Sequence, residues 1–233
     1  MSSLDFDSFV LAAATDDLSA EPAAREHAAA VEFRLDLASD PLNQLTAYDG
    51  ELPLIVTNRA AWEGGEATDE AGRLDALEAA FDCDAVAAVD IECAALDGSV
   101  AAADTERARE LRETAHKKDI SVIASMHDFA STPSVEAMVD QLEGAATAGD
   151  VGKLAVTAHD RADALALLTA THRAVRAGHT VATMAMGTAG QHTRAVAPVY
   201  GSAIGYAPVD PDGATAPGQY TLETLRELVD GLQ

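Results

Sequence analysis

The chain has 233 residues, of which 48% are hydrophobic, so it can bury a sizeable core and has a length that one (β/α)8 barrel can occupy. Its 39 acidic residues against 15 lysines and arginines give a formal net charge of −24, spread along the chain, which argues against nucleic acid and anionic membranes as partners. Neither a basic leader followed by an apolar run nor an apolar stretch of about 18 residues occurs, so we expect a cytoplasmic protein.

Short apolar runs alternate with helical patterns along the whole chain, which is typical of βα units in a parallel sheet. The predicted strands are 9–14, 31–37, 52–57, 85–91, 121–126, 151–156, 180–186 and 202–207. The predicted helices are 21–30, 68–80, 104–118, 133–148, 160–177 and 221–232. Eight strands in this length favour a TIM barrel, with residues 1–233 as a single domain. An open doubly wound sheet is the alternative, and the lack of a GxGxxG motif after the first strand weakens it.

The second predicted strand carries Glu32, Arg34 and Asp36 at alternate positions, so all three lie on one face. The opposite face is apolar. In a barrel the charged face points inward, where unpaired charge is costly, and the pattern therefore predicts that Glu32 and Arg34 pair with each other and face a ligand. The alternative is an amphipathic strand at the edge of a sheet.

A charged loop follows the third predicted strand. Arg59 and Glu63 precede Gly64 and Gly65, and a glycine pair permits backbone geometries that other residues resist. Such a loop could hold an anion or orient a catalytic base. A solvated turn is the alternative.

Two titratable residues mark the fifth and sixth predicted strands. His127 follows the fifth, where an imidazole with a pKa near neutrality is a candidate general acid and base, or a hydrogen-bonded structural group. Lys153 lies between apolar residues in the sixth, whereas the other two lysines, Lys117 and Lys118, end a helical stretch. Desolvation and nearby cations favour a neutral amine that attacks carbonyls, although an ammonium that binds phosphate could occupy the same place.

The last predicted strands and loops add further candidates. Met184 and Met186 share one face of the seventh strand and, taken alone, are more typical of core residues than of substrate contacts. Arg194 stands near the start of a helix, where recognition of a carboxylate would be natural. Thr215 and Gln219 are neutral hydrogen-bonding groups in a loop of small residues, which could also be a plain turn.

From Val31 to the C-terminal helix, these segments in this order resemble the type I 3-dehydroquinate dehydratases. Six separated motifs carry the resemblance: E-x-R-x-D at 32–36, R-x-x-x-E-G-G at 59–65, H-D-F at 127–129, K-L-A at 153–155, M-A-M-G at 184–187 followed by Arg194, and A-P-G-Q at 216–219. Thr215 departs from the serine that is usual in the family but keeps the hydroxyl. Ala12, or a neighbouring alanine, stands where relatives often have a serine that contacts substrate.

The resemblance implies a TIM-barrel lyase that dehydrates 3-dehydroquinate to 3-dehydroshikimate, the third step of the shikimate pathway towards chorismate and the aromatic amino acids. It implies that Lys153 forms a Schiff base with the substrate ketone, that His127 moves the protons, and that Glu63 orients His127. The substrate-binding residues that it implies are Glu32, Arg34, Arg59, Met184, Met186, Arg194, Thr215 and Gln219.

The same resemblance implies a homodimer with a small-molecule substrate. The sequence shows no metal-ligand cluster and no nucleotide-binding loop, so we expect no cofactor and no metal. The diffuse acidic surface is similar to that of proteins from halophilic archaea, because a Debye length of about 3 Å at about 1 M salt screens the repulsion. Two other hypotheses stay open. A class I aldolase or similar barrel would share the imine-forming lysine without needing an arginine-rich carboxylate site, and an anion-binding sensor would use Lys153 only as a charge.

Overall fold

The computed structural model describes residues 4–210 and 218–232, and a parallel sheet of eight strands forms its centre. The strands are β1 (Val10–Thr15), β2 (Ala30–Arg34), β3 (Leu54–Thr57), β4 (Val86–Glu92), β5 (Ser121–Asp128), β6 (Val151–Thr157), β7 (Val181–Met186) and β8 (Ile204–Pro208). Each strand falls on a predicted one. The prediction of a TIM barrel is confirmed.

The strand order is β7-β6-β5-β4-β3-β2-β1-β8, and every neighbouring pair is parallel. The seam between β7 and β8 is held more loosely. A bridge joins Val181 to Ser202, the Ala203 amide donates to the Val181 carbonyl at 2.7 Å, and the Thr183 amide donates to Ser202 Oγ at 2.9 Å. A side-chain hydroxyl thus replaces part of the backbone ladder, and the barrel is nearly closed.

Helices pack around the strands. They are α1 (Glu21–Ala24), α2 (Pro41–Ala47), α3 (Glu70–Ala80), α4 (Cys93–Asp97), α5 (Thr105–Lys117), α6 (Val135–Ala148), α7 (Arg161–Arg176), α8 (Thr193–Val196) and α9 (Leu222–Asp230). The sequence did not predict the short helices α2 and α4, whereas α8 is the helix expected near Arg194. In the described ranges, no helix is long and apolar enough to cross a membrane.

Two predicted boundaries are wrong for reasons of backbone hydrogen bonding. The helix predicted at 21–30 ends at Ala24, because the Ala29 amide already donates to the Leu11 carbonyl and joins the chain to the ladder beside β1. The second strand ends at Arg34 instead of residue 37, because the amides of Leu37 and Ala38 turn back to the Arg34 carbonyl. Asp36 therefore lies beyond the strand.

The alternation of side chains along the strands decides what enters the barrel. In β2, Val31 and Phe33 are buried in the hydrophobic layer between sheet and helices, so Glu32 and Arg34 point to the other side. In β4, Val89 and Ile91 belong to the same outer layer, which turns Asp90 inward. Polar side chains at the carboxyl ends of the strands therefore share one space above the apolar interior of the barrel.

Candidate active site

A cavity of about 100 Å³ lies at the carboxyl ends of the strands. Its walls are Glu32, Arg34, Thr57, Arg59, Glu63, Gly64, His127, Phe129, Lys153, Ala155, Met184, Met186, Arg194, Tyr206 and Gln219. Every predicted site residue lines this cavity except Thr215, which lies outside the described residues. Sequence reasoning missed Thr57, Phe129 and Tyr206 as lining residues.

Lys153 projects from the middle of β6 and is 4% exposed. Its Nζ donates to Asp90 Oδ2 at 2.8 Å, lies 3.8 Å from Glu32 Oε1, and lies 4.3 Å from the centroid of the Tyr206 ring. The nearest charged neighbours of the amine are thus carboxylates, whereas the sequence argument invoked cations. An aromatic face beside Nζ adds a further favourable contact for a positive charge.

Asp90 is a central residue of the site that the sequence argument missed. Its Oδ1 accepts from Arg59 Nη2 at 2.7 Å and from Ser125 Oγ at 2.5 Å, while Oδ2 accepts from Lys153. Burial alone raises the pKa of Asp90, but the charges of Arg59 and Lys153 and these hydrogen bonds together hold it well below the ordinary value. The period-two pattern of Asp90 and Glu92 in β4 was the signal that could have identified both carboxylates.

A chain of buried ion pairs leads from this carboxylate to the outside of the barrel. Arg59 also pairs with Glu92 at 3.1 Å, Glu92 pairs with Arg73 at 2.8 Å, and Arg73 pairs with Glu70 at 2.8 Å. Burial lowers the pKa of Arg59, but the charges of Asp90 and Glu92 outweigh it and raise that pKa. Arg59 is therefore a fixed cation that orders the site.

His127 and Glu63 form a hydrogen-bonded pair, with 2.8 Å between Nδ1 and Oε1. His127 comes from β5, which runs two residues further than predicted, and Glu63 ends a 3-10 turn after β3. Gly64 follows with a φ of 80°, and a Cβ on Gly65 would lie 2.1 Å from the Arg59 carbonyl oxygen. Both glycines are thus required for the loop to carry Glu63 over the strand end.

Burial perturbs both members of this pair towards their neutral forms. It lowers the pKa of His127 well below its ordinary value, with help from the charges of Arg59 and Lys153, and it is the main cause that raises the pKa of Glu63 to about 8. Phe129 stacks on the imidazole with 5.8 Å between ring centroids and an interplanar angle of 11°. The burial of His127 therefore favours the unprotonated imidazole, which is the form that a general base requires.

The charged residues of β2 do not pair with each other as predicted. Arg34 donates from Nε and Nη2 to Asp36 at 2.9 and 2.6 Å, because the turn after β2 folds Asp36 back over the strand end. Glu32 instead accepts from Thr57 Oγ1 at 3.0 Å. Both residues still face the cavity, so the prediction that they face a ligand site agrees with their position.

Arg194 is the cation of the cavity that lacks a carboxylate partner in residues 4–210 and 218–232. It is 4% exposed, and its Nε and Nη2 have no hydrogen-bond partner there. Burial lowers its pKa to about 10. Because an uncompensated buried guanidinium is costly, this arrangement fits an anionic ligand that supplies the missing acceptors. Met184 and Met186 form an apolar wall of the same cavity.

Metal chemistry has no evident ligand set in the described part of the chain. No group of three or more histidine, cysteine, aspartate or glutamate side chains there is arranged to hold a metal ion. The titratable groups around the cavity include an amine, an imidazole and guanidinium groups.

Comparison with known proteins places this arrangement in a family. The family model for type I 3-dehydroquinase matches residues 10–233. The 3-dehydroquinate dehydratases of Haloarcula marismortui and Halobacterium salinarum, both halophilic archaea, are 59% and 53% identical over 230 residues, covering 99% of this chain and 99% and 100% of theirs. The crystal structure of 3-dehydroquinate dehydratase from Geobacillus kaustophilus superimposes with a TM-score of 0.83 at 28% identity, covering 97% of this chain and 91% of that one.

Proposed function

We propose a reaction from one premise: this chain belongs to the type I 3-dehydroquinase family. It is a hydro-lyase that dehydrates 3-dehydroquinate to 3-dehydroshikimate, the third step of the shikimate pathway, through a Schiff base on Lys153. The observation that carries this proposal is the shared cavity. One space contains a buried amine, the His127–Glu63 pair and the guanidinium of Arg194, whose Nε and Nη2 have no hydrogen-bond partner among the described residues.

Binding begins with the substrate carboxylate. Arg194 offers two unpaired donors for it, which suits the bidentate geometry that guanidinium and carboxylate prefer. Gln219 lines the same cavity, and we assign it and Thr215 to holding the carboxylate and closing the site. We assign the ring hydroxyls to Glu32, Arg34 and Arg59, and the carbon skeleton to the apolar wall of Met184 and Met186.

The covalent step uses the Lys153 amine as nucleophile. The ammonium passes one proton to the carbonyl oxygen, and the lone pair that this frees on nitrogen attacks the ketone carbon. A second proton then moves from nitrogen to oxygen, the C–O bond breaks as water leaves, and a protonated C=N bond remains. His127 then removes a proton from the carbon next to the iminium, and the electron pair of the broken C–H bond flows into the C=N bond to give a neutral enamine.

Elimination follows from the enamine. Its electrons return to form the conjugated iminium while the C–O bond of the hydroxyl breaks, and His127 delivers its proton so that the hydroxyl leaves as water. Hydrolysis of the iminium then frees 3-dehydroshikimate and the amine. Positive charge on the imidazole favours the ionised form of Glu63, whose Oε1 is 2.8 Å from Nδ1, so the carboxylate compensates the imidazolium that exists between the two proton transfers.

Intact-mass measurement after reduction tests this proposal. The protein is mixed in high salt with 3-dehydroquinate and sodium borohydride, and wild type is compared with Lys153→Ala and with Lys118→Ala, which removes an exposed lysine outside the cavity. An adduct on wild type and Lys118→Ala, but not on Lys153→Ala, is expected. Absence of an adduct on folded wild type would refute imine formation and favour the anion-binding hypothesis.

The partner expectations are proposals as well. We propose a homodimer that acts on a small molecule without a cofactor or nucleic acid. Light scattering on the protein in high salt tests the dimer. A monomer that remains fully active would contradict it.

A further inference from the structure

The carboxylate of Asp90 is the charged group nearest to the amine that would carry the substrate. Nζ of Lys153 lies 2.8 Å from Asp90 Oδ2, and the Asp90 side chain is fully buried. We propose that Asp90 is the counter-ion of the protonated Schiff base on Lys153. This inference rests on the imine chemistry proposed above and adds to it a catalytic residue in contact with the reacting nitrogen.

The two oxygens of Asp90 have separate partners. Oδ1 accepts both from Arg59 Nη2 and from Ser125 Oγ, whereas Oδ2 accepts from Lys153. Ser125 is also the register partner of Lys153 on the neighbouring strand. The carboxylate is thus anchored through one oxygen to the barrel wall, and the other oxygen is held at the amine independently of what the amine becomes.

This division matters because the number of hydrogens on the nitrogen changes during the reaction. An ammonium has three N–H groups, and the iminium of a ketone has one. A carboxylate that depended on several ammonium donors would lose its place when the imine forms. Asp90 keeps Arg59 and Ser125 as partners, so Oδ2 can still accept from the single remaining N–H.

Glu32 is less suited to this role than Asp90. Its Oε1 is 3.8 Å from Nζ, beyond hydrogen-bond distance, and already accepts from Thr57 Oγ1. The face of the Tyr206 ring, 4.3 Å from Nζ, favours a cation at the same point but cannot accept its proton. Asp90 is therefore the group placed to keep the imine nitrogen protonated.

A protonated nitrogen is what makes the imine an electron sink. When His127 removes the carbon-bound proton, the electron pair neutralises the iminium and positive charge moves to the imidazole beside Glu63. When the hydroxyl leaves, the positive charge returns to the nitrogen. Asp90 stabilises the first and last of these states, and Arg59 compensates it while the nitrogen is neutral.

The pH dependence of reductive trapping separates this role from a structural one. Sodium cyanoborohydride reduces a protonated iminium much faster than a neutral imine, so the trapping rate with 3-dehydroquinate, followed by intact mass, reports the protonated fraction. Asp90→Asn keeps the shape of the side chain but removes its charge. We expect the pH above which trapping stops to be about one to two units lower in this variant than in wild type, as loss of one charge-assisted hydrogen bond implies.

Glu92→Gln is the matched control, because it removes a buried carboxylate of the same ion-pair chain that pairs with Arg59 and Arg73 but not with Lys153. The pH above which trapping stops should be the same in Glu92→Gln as in wild type. An unchanged limit in Asp90→Asn, or an equal shift in both variants, would refute the counter-ion. No adduct on wild type would instead refute the proposed function.

A measurement on wild type keeps the inference testable if Asp90→Asn does not fold. The chain has three lysines, so labelling with ¹⁵Nζ-lysine gives few signals, and Lys153→Ala assigns the relevant one. With 3-dehydroshikimate bound, the nitrogen shift of an iminium should persist from neutral pH to about pH 9. The shift of a neutral imine at neutral pH would overturn the proposal.

Discussion

Replacement of Arg194 by methionine should weaken ligand binding without destabilising the ligand-free protein. Arg194 is buried, and its Nε and Nη2 have no partner in residues 4–210 and 218–232. A buried arginine that only stabilises the fold is expected to donate hydrogen bonds to acceptors within the protein. Arg73 provides that contrast, since it is equally buried but pairs with Glu70 and Glu92 and does not line the cavity.

The expected magnitudes have opposite signs for stability and for binding. Burial lowers the pKa of Arg194 to about 10, so holding the charge there costs roughly 3 kcal/mol, part of which methionine recovers. Two charge-assisted hydrogen bonds to a carboxylate are worth roughly 1.5–3 kcal/mol each, and the lower end alone predicts about a hundredfold increase in KM. Arg73→Met leaves Glu92 undercompensated and should lose about 3–5 kcal/mol of unfolding free energy, with little change in KM.

Denaturant unfolding in constant high salt and steady-state kinetics with 3-dehydroquinate measure these quantities side by side. Arg194→Met should unfold at the same or a higher denaturant concentration than wild type while its KM rises. Loss of more than about 2 kcal/mol of stability, or an unchanged KM, would refute the assignment of Arg194 to the ligand carboxylate.

Three further outcomes follow from the same contacts. Glu63→Gln should lower kcat about tenfold to a hundredfold, since an amide cannot compensate the imidazolium. A steady-state kcat equal to that of wild type would contradict this. In wild type the acid limb of kcat/KM should lie below pH 6.5, because burial lowers the pKa of His127 and keeps the base unprotonated at lower pH; in Phe129→Ala, water reaches the imidazole and the limb should rise towards about 6.5, whereas Phe129→Tyr should keep it low. The melting temperature should rise as potassium chloride increases from about 0.1 M to about 1 M, because the Debye length falls from about 10 to about 3 Å around a chain of charge −24; an equal rise with uncharged sucrose of matched water activity would argue against screening.

Sequence alone determined the architecture and most of the candidate site. Period-two alternation separates the inward Glu32 and Arg34 from the outward Val31 and Phe33, and the structure confirms that division. The pattern works because a strand has a fixed side-chain period and a barrel has one apolar outer layer. The isolated Lys153 was recognisable for a different reason, since the sequence has almost no other lysine.

Tertiary structure alone decided which charges meet. Asp90 follows the same alternation as Glu32, yet its contact with Lys153 joins residues 63 positions apart, and no local pattern encodes a distance of 2.8 Å across a barrel. Arg34 was expected to pair with Glu32, but a turn brought Asp36 back to it instead. Backbone hydrogen bonds to the Arg34 carbonyl end β2, and the two-residue period of the side chains could not show where that strand ends.

The perturbed protonation states also depended on the folded chain. The composition gives His127 and Glu63 ordinary pKa values, and burial in a shared cavity is what moves them in opposite directions. Likewise, Arg194 becomes an unsatisfied cation only when packing removes water from it. The sequence therefore determined which chemical groups are available and on which face each lies, because those follow from residue type and strand period, whereas desolvation and long-range pairing arise only when eight strands close around one cavity.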